Sequence, residues 1–216
     1  MAGRGAPRGA ARPALDPAAL KLYDRAYFDR WYRDPKARMW GRADVERKVR
    51  MAAGLAEYLL DRPLHSVLDV GCGEGTWRRH LRALRPRVQY TGIDDSAYVV
   101  ERFGKSRNIR RGRLGTLADL KIRGMFDLVV CCDVLHYVKT AEMRLGLAEI
   151  AELARGPVYL EAYTSADDVD GDHGEFQRRS PELYRREFAK AGFLHVGPHL
   201  YVHRRMKPVL VALERP

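Results

Sequence analysis

The chain has 216 residues, of which 46% are hydrophobic and 31% are charged. This length builds one domain with a sizeable core and is too short for two enzyme-sized domains. No apolar run approaches the ~20 residues that a membrane-spanning helix requires, so we expect no membrane association. Three cysteines, two of them adjacent, make a poor disulfide framework, which favours a reducing, cytoplasmic location.

The formal net charge is +11, from 39 Lys and Arg against 28 Asp and Glu. A surplus of this size is typical of proteins that bind nucleic acid, anionic surfaces or acidic substrates, and also of translated GC-rich genomes. Residues 1–17 are rich in Gly, Ala, Pro and Arg without hydrophobic periodicity, and we predict a disordered, untargeted tail there. Most of the remaining surplus lies in a basic flank at 78–113.

The predicted elements begin with two helices and then alternate between strand and helix. Asp16-Pro17 is the predicted start of a helix that carries aromatic residues at spacings of three and four, and 43–60 is the second helix. Apolar runs predict strands at 66–70, 88–93, 108–113, 126–132, 157–162, 193–202 and 208–213. Helical periodicity predicts helices at 75–84, 96–103, 140–154 and 180–191.

This alternation predicts an α/β fold with a doubly wound, mostly parallel seven-stranded sheet and helices on both faces. The last two strands have no helix between them, so one of them is predicted to be antiparallel. We expect a basic tail at 1–17, an N-terminal helical lid at 18–60 and a cofactor-binding core at 61–216. The polar loop at about 162–179 is the predicted substrate loop.

The sharpest local signal is a glycine turn that joins the first predicted strand to the next helix. Gly71, Gly73 and Gly75 have the spacing Gly-x-Gly-x-Gly. Such glycines let a ligand lie against the backbone near a helix N-terminus, although they also form tight packing corners. About twenty residues later, Asp94 and Asp95 end a strand, where a carboxylate can bind ribose hydroxyls or cap the next helix.

Segments 67–75, 90–96 and 126–138 resemble, in this order, those of the class I S-adenosylmethionine-dependent methyltransferases. The resemblance extends over residues 43 to 165 and implies a Rossmann-like fold, S-adenosyl-L-methionine as cofactor and methyl transfer. The residues from 113 to 117 depart from the family pattern because they lack its usual acidic residue. By this resemblance, the cofactor is lined by Asp69, Gly71, Cys72, Gly73, Asp94, Asp95, Thr116, Leu117, Cys132 and Asp133, with Tyr27 and Trp31 added from the lid.

Catalytic candidates follow the central strand, at the sheet edge where α/β proteins bind ligands. His136 is the predicted general base because imidazoles titrate near neutral pH, and Tyr137 is predicted to line the reaction site. A packing histidine and a buried phenol are the structural alternatives. The lid aromatics could enclose a sulfonium by cation–π contact or simply pack against the sheet. No metal ligand set is predicted.

Methyl transfer from a sulfonium needs alignment and desolvation more than a fixed catalytic triad. We therefore expect in-line transfer of a methyl group to an oxygen, nitrogen or carbon atom of a small molecule. Two alternatives stay open at this point. One is RNA or protein methylation that uses the flank 78–113, and the other is a non-catalytic cofactor-binding protein on the same fold. The oligomeric state is left open.

Overall fold

A computed structural model of the chain describes residues 22–36, 41–168 and 172–214. The predicted tail at 1–17 and the helix start at Asp16-Pro17 lie outside these residues. The first described helix, α1, is Arg25–Phe28, and it continues as a π-helical turn at Asp29–Arg33. The second predicted helix is confirmed as α2, Arg42–Leu60.

The rest of the chain confirms the predicted alternation of strands and helices, with small shifts at the element ends. The strands are β1 (Ser66–Val70), β2 (Gln89–Asp94), β3 (Ile109–Arg111), β4 (Leu128–Cys132), β5 (Val158–Glu161), β6 (Phe193–Gly197) and β7 (Leu200–His203). The helices are α3 (Thr76–Leu84), α4 (Ala97–Arg107), α5 (Thr140–Leu153) and α6 (Pro181–Lys190), and a 3-10 segment, Leu114–Leu120, follows β3.

The seven strands form one sheet in the order β3-β2-β1-β4-β5-β7-β6. Strands β1 to β5 are parallel to one another, and β7 is antiparallel to both β5 and β6. The predicted α/β class and the antiparallel element are therefore confirmed. Because the strand order reverses between β1 and β4, the carboxyl ends of these strands border the crevice where this architecture binds ligands.

Two sequence predictions near the C-terminus are wrong. The run 193–202 is a hairpin of two strands rather than one strand, because the backbone turns at His199, whose φ is 57°. The run 208–213 is not a strand, since Pro208 lies in a 3-10 helix, Arg204–Val209, and cannot donate a ladder hydrogen bond. The apolar residues that suggested a strand include Leu210, which is buried instead in a small cluster with α2 and β7.

The sheet is buried on both faces, as a parallel sheet requires. Alternating residues of β4 show this: Val129 and Cys131 belong to the core under α5 and α6, whereas Leu128 and Val130 belong to the core under α2 and α3. Among the described residues, no helix is both long and apolar enough to cross a membrane.

The opposite, amino edge of the sheet holds a buried carboxylate that the sequence analysis did not single out. Asp127 precedes β4 and is fully buried. It accepts two hydrogen bonds from Arg62, at 2.7 and 2.8 Å, and one from the His65 amide at 2.9 Å. Burial would raise its pKa, but these bonds prevail and lower it.

Candidate functional site at the carboxyl edge

The glycine turn after β1 is packed so closely by neighbouring side chains that a Cβ atom at Gly71 or Gly73 would collide with them. Gly71 and Gly73 have φ of 71° and 52°, a region that favours glycine. A Cβ atom on Gly71 would lie 2.2 Å from Val134 Cγ2, and one on Gly73 would lie 2.5 Å from the Tyr32 hydroxyl. The turn is tied to β2 by a 2.7 Å hydrogen bond from the Gly71 amide to the Ile93 carbonyl. These contacts make a backbone cradle beside the sheet.

Asp94 ends β2, and both of its carboxylate oxygens accept hydrogen bonds from backbone amides, whereas the helix cap of α4 is Ser96. One carboxylate oxygen accepts a hydrogen bond from the Gly73 amide at 2.7 Å, and the other accepts one from the Ser96 amide at 2.9 Å. Burial raises the pKa of Asp94, although both hydrogen bonds oppose the rise. Asp94 thus links the glycine turn to the start of α4. Asp95, its neighbour, forms a 2.7 Å ion pair with Arg113.

Asp69 lies within β1 and is 2% exposed. Its described hydrogen-bond donor is the Tyr90 hydroxyl, at 2.7 Å. Burial raises the pKa of Asp69 to about 7, partly opposed by the Tyr90 hydrogen bond, with a further upward contribution from Asp94. No basic side chain in the described part of the chain forms a salt bridge with it. A buried carboxylate without a basic partner is complementary to a cationic ligand group.

The lid is fixed over the glycine turn from two sides. Arg33 forms an ion pair with Glu74 in the turn, at 2.5 Å between Nη2 and Oε1. At the start of α1, the hydroxyl of Ser96 donates a hydrogen bond to the Tyr23 carbonyl. Phe28 is buried between these anchors. The predicted lid segment therefore lies at the predicted cofactor site.

Within the lid, the structure brings Tyr32 to the site, whereas the sequence analysis selected Tyr27 and Trp31. Tyr32 contacts Gly73 with its hydroxyl, and burial raises its pKa, as do Asp94 and other acidic groups nearby. Trp31 lies under the Arg30 guanidinium at 4.7 Å. Tyr27 precedes the π-helical turn, and burial raises its pKa, as do Asp172, Tyr32 and Tyr137, so Tyr27 also lies near these residues.

His136 is enclosed by aromatic rings on the acceptor side of the site. It is fully buried, with ring centroids of Tyr137, Phe176 and Tyr163 at 4.1, 5.0 and 5.3 Å. Its Nδ1 accepts a hydrogen bond from the Tyr163 amide at 3.3 Å. Its Nε2 lies 3.2 Å from Oδ1 of Asp133, but the two atoms are not aligned for a hydrogen bond.

The described part of the loop 162–179 is attached to the connection between β4 and α5. The Gln177 amide donates to the His136 carbonyl at 2.7 Å, and the Tyr137 hydroxyl donates to the Asp172 carbonyl at 3.0 Å. Arg179 is buried and donates to the Leu135 carbonyl at 2.9 Å. The structure thus places this loop beside His136. Sequence reasoning missed Arg179, which no local motif distinguishes from the other arginines.

Cys132 and Glu161 end neighbouring strands and meet Lys48 of α2. Lys48 Nζ lies 2.6 Å from Glu161 Oε1, while the hydroxyl of Tyr159 and the thiol of Cys132 both approach Oε2. Burial and the nearby Glu161 raise the pKa of the Cys132 thiol, which disfavours a nucleophilic thiolate. Lys48 could not be found from sequence because 113 residues separate it from Glu161.

Thr116 and Leu117 are not brought to this cleft. Leu117 is 1% exposed and belongs to the core beneath α5, and Thr116 lines a surface groove with residues of α5. Arg113, which precedes this segment, is the residue that lies beside Asp95. Within the described ranges, no group of His, Cys, Asp and Glu is arranged to hold a metal ion.

Residues 68–156 match the family model of a methyltransferase domain, and this segment contains the glycine turn, Asp94 and β4. This part of the chain is therefore similar to a methyltransferase domain, in agreement with the resemblance to the class I S-adenosylmethionine-dependent methyltransferases. A curated relative from Legionella pneumophila, malonyl-[acyl-carrier protein] O-methyltransferase, is 29% identical over 110 residues, which are 46% of this chain. The aligned region spans only 39% of that relative's length.

Solved structures show the same methyltransferase fold at low sequence identity. A SAM-dependent methyltransferase from Archaeoglobus fulgidus has a TM-score of 0.60 and 14% identity over 80% of this chain and 75% of its own. The plantazolicin methyltransferase BamL, solved with a triazolic desmethylPZN analog and SAH, has a TM-score of 0.57 and 16% identity, covering 72% of this chain and 67% of its own. At these identities the likeness concerns the fold alone.

Proposed function

We propose that this methyltransferase transfers the methyl group of S-adenosylmethionine to a small-molecule acceptor. The observation that carries the proposal is the glycine cradle, which is closed by Asp94 and Tyr32 and lies beside the unpaired carboxyl group of Asp69. Glycines at positive φ turn the chain sharply between β1 and α3, and such a turn before a helix N-terminus is suited to a ligand that lies against the backbone. A buried carboxyl group without a basic partner suits a cationic part of that ligand.

The residues present fit this cofactor. Gly71, Gly73 and Asp69 would hold its methionine portion, and Asp94 and Asp95 would lie at its ribose. When bound, S-adenosylmethionine supplies a methyl group already activated by its positive sulfur. The chain's own contribution is to orient the reactants and exclude water, which the anchored lid can do through Tyr32 and Phe28.

The acceptor would lie on the other side of the cleft, against the aromatic residues that surround His136. Tyr137, Tyr163 and Phe176 offer an apolar wall, and the attached loop 162–179 closes it. Such a concave, mostly aromatic wall suits a small molecule. The names of the Legionella relative and of the BamL complex also fit this acceptor class, without fixing the atom that receives the methyl group.

The geometry changes the role proposed for His136. The sequence predicted a general base, but the Nδ1 lone pair already accepts the Tyr163 amide proton. The neutral ring therefore carries its hydrogen on Nε2, which makes that atom a donor. We keep His136 at the reaction site but do not assign it the role of proton acceptor.

Calorimetry with S-adenosylhomocysteine tests cofactor binding, with NADH as the control ligand. We expect heat with the first ligand only, and at least ~10-fold weaker binding by Asp69→Ala, because the variant lacks the buried carboxyl group. Asp168→Ala, an exposed loop position, is the matched control for loss of one acidic residue. Binding of NADH without S-adenosylhomocysteine would refute the proposal.

Labelled S-adenosylmethionine incubated with the enzyme and a cell extract tests the transfer itself. We expect label in the small-molecule fraction. Label in RNA or protein supports the alternative acceptors instead. Cofactor binding without transfer to any fraction supports a non-catalytic binding protein.

A further inference from the structure

We infer that the methyl acceptor is a neutral hydroxyl group, held between Oδ1 of Asp133 and Nε2 of His136. This inference rests on the proposed function and specifies the acceptor atom. It differs from the sequence analysis, which placed Asp133 at the cofactor and made His136 the base.

The first step is that both atoms are buried without a hydrogen bond to any described residue. Native proteins satisfy most buried polar atoms, so such exceptions call for a ligand or another physical reason. Here two such unsatisfied atoms, Oδ1 of Asp133 and Nε2 of His136, lie 3.2 Å apart. His136 is fully buried, so its Nε2 cannot be satisfied by bulk solvent.

The second step is the backbone of Asp133, which has a φ of 63° directly after β4. Aspartate tolerates this left-handed conformation better than most residues, but it remains uncommon outside glycine. Strained positions of this kind cluster at functional sites. This conformation accompanies the placement of the carboxylate against His136, at the edge where ligands bind.

The third step is the hydrogen-bonding pattern that the pair presents. Since Nδ1 of His136 accepts the Tyr163 amide, Nε2 is the donor, while Oδ1 of Asp133 is an acceptor. A hydroxyl oxygen satisfies both atoms at once, by donating its proton to Asp133 and accepting from His136. It then keeps a second lone pair for attack.

Other acceptor groups fit this pair less well. A neutral amine has one lone pair, and accepting a hydrogen bond from His136 would occupy the electrons needed for attack. A carboxylate has no proton to donate to Asp133 and is repelled by its charge. Amino and carboxylate groups therefore each leave part of the pair unsatisfied.

The surroundings of the pair also disfavour an anionic acceptor. Burial raises the pKa of the Tyr137 phenol, and Asp133 and Asp172 raise it further. Burial also raises the pKa of the Tyr163 phenol, and Asp133 and Glu161 raise it further. Carboxylates thus dominate the local charge, and aromatic rings supply the walls. A phenol or an alcohol with an apolar body matches both properties.

The approach to the pair passes the rings that cover it. The Asp133 side chain is 23% exposed, and because Oδ1 is buried, this exposure belongs to the rest of the carboxylate group. An acceptor oxygen reaches Oδ1 and Nε2 when the ring of Tyr137 or Phe176 shifts. Both rings belong to loop segments, which adjust more readily than the sheet.

The reaction balances with these groups alone and S-adenosylmethionine as methyl donor. The hydroxyl proton passes to Asp133 as the oxygen forms a bond to the methyl carbon. The bond between that carbon and sulfur breaks, and sulfur keeps the electron pair. The products are a neutral methyl ether and a thioether, and Asp133 later releases its proton to solvent.

The first test reads the His136 ring directly and needs no turnover. Long-range proton–nitrogen correlation on the ¹⁵N-histidine-labelled full chain at about pH 8, where an unperturbed imidazole is neutral, identifies which nitrogen carries hydrogen. His136→Gln assigns the signal. We expect hydrogen on Nε2, and hydrogen on Nδ1 would overturn the inference.

The same signal then reports ligand choice in the presence of S-adenosylhomocysteine. Phenol, aniline and benzoate share one ring and differ in the group offered to the pair. We expect phenol to shift the His136 ring signal at the lowest concentration and benzoate at the highest. An equal or reversed order would overturn the inference.

The second test identifies the methylated atom. Full-length enzyme is incubated with S-adenosylmethionine that carries a ¹³C methyl group and with a small-molecule extract. The ¹³C shift of the product separates methyl ethers from N-methyl, C-methyl and methyl ester groups. A methyl ether supports the inference, and any of the others overturns it. Absence of label despite S-adenosylhomocysteine binding rejects the proposed function, a distinct result.

Variants separate catalysis from folding. Asp133→Asn keeps the shape but not the basicity, so we expect at least ~100-fold lower kcat, the scale of general-base catalysis, with S-adenosylhomocysteine affinity unchanged. His136→Gln retains an N–H donor and should preserve most of kcat, whereas His136→Phe should not. Asp119→Asn, at an exposed position outside the proposed site, is the charge-matched control. Equal kcat in wild type and Asp133→Asn would contradict the assignment.

Discussion

Two aspartates border the central strand β4, and they have opposite surroundings. Asp127, before the strand, is bonded to Arg62 and to the amide of His65, and its pKa is lowered. Asp133, after the strand, has a left-handed backbone and a buried oxygen without a hydrogen bond among the described residues. At the amino edge of the sheet, the buried carboxylate is thus fully bonded to groups of the protein.

Asp69, near the carboxyl end of the neighbouring strand β1, accepts a hydrogen bond from Tyr90 but, unlike Asp127, forms no salt bridge with a described basic residue. Its pKa is raised to about 7 because it is buried without a basic partner. The comparison indicates that Asp127 serves stability, whereas Asp69 and Asp133, which have no Lys or Arg partner among the described residues, are available to the proposed ligands. Substitutions at the two edges should therefore affect different measurements.

The largest expected effect is the pH dependence caused by Asp69. Its pKa is near 3.9 in the unfolded chain and about 7 in the folded one, so the folded state binds the extra proton between these values. The free energy of unfolding should therefore fall as pH rises from ~4 to ~7, by up to about 4 kcal/mol.

Asp69→Asn removes this decline, and urea unfolding at about pH 5 and about pH 8 measures it. We expect the variant to be the more stable protein at the higher pH while binding S-adenosylhomocysteine weakly. An identical slope in wild type and variant would show that Asp69 is not protonated in the fold.

The next effect concerns the glycine turn. Gly71→Ala places a Cβ 2.2 Å from Val134 Cγ2 at a positive φ, and we expect a loss of ~3 kcal/mol and of S-adenosylhomocysteine binding. Gly54→Ala on α2 is the control, since a Cβ there meets nothing within 4 Å. It should stabilise the protein by ~0.5–1 kcal/mol. Thermal unfolding and calorimetry distinguish the two variants.

At the amino edge, Asp127→Asn should destabilise the fold without changing cofactor affinity. We expect ~2–3 kcal/mol, less than the ~3–5 kcal/mol of a fully buried ion pair, because the Arg62 side chain is 30% exposed. Urea unfolding gives the loss, and calorimetry on the folded variant gives the affinity. A weakened affinity would mean that the two edges are coupled.

The smallest effect should come from the basic flank. Changing Arg110, Arg111 and Arg113 to Gln should cost less than ~1 kcal/mol, because the one described ion pair among them, Arg113 with Asp95, is exposed. S-adenosylhomocysteine affinity and small-molecule methylation should stay within about twofold of wild type. Salt-dependent RNA binding that disappears in this variant would instead favour the RNA-methylation alternative.

The parts of the structure that local patterns determine were predictable from sequence. Strand β1, the glycine turn and Asp94 lie within one short segment, where apolar runs and glycine spacing carry the information. The strand at 208–213 was wrong because an apolar run can also pack as a 3-10 segment around Pro208. Sequence periodicity alone does not distinguish these outcomes.

The rest depends on contacts between distant residues. Lys48 meets Glu161, and Asp127 meets Arg62, across separations that no local pattern encodes. Tyr32, which lies within the π-helical turn, reaches Gly73 across 41 positions of the chain. The amide of Tyr163 donates to Nδ1 of His136, and this contact decides which ring nitrogen carries the hydrogen. The sequence could therefore suggest a titratable group but not whether its free nitrogen is a donor or an acceptor.

The lid anchor at Arg33 and Glu74 has a consequence for the order of events in turnover. Glu74 belongs to the glycine turn, so the predicted lid segment lies over the proposed cofactor site, while a separate loop bounds the proposed acceptor side. We expect S-adenosylmethionine to bind before the acceptor and S-adenosylhomocysteine to leave last. Product inhibition by S-adenosylhomocysteine should then be competitive with the methyl donor and noncompetitive with the acceptor.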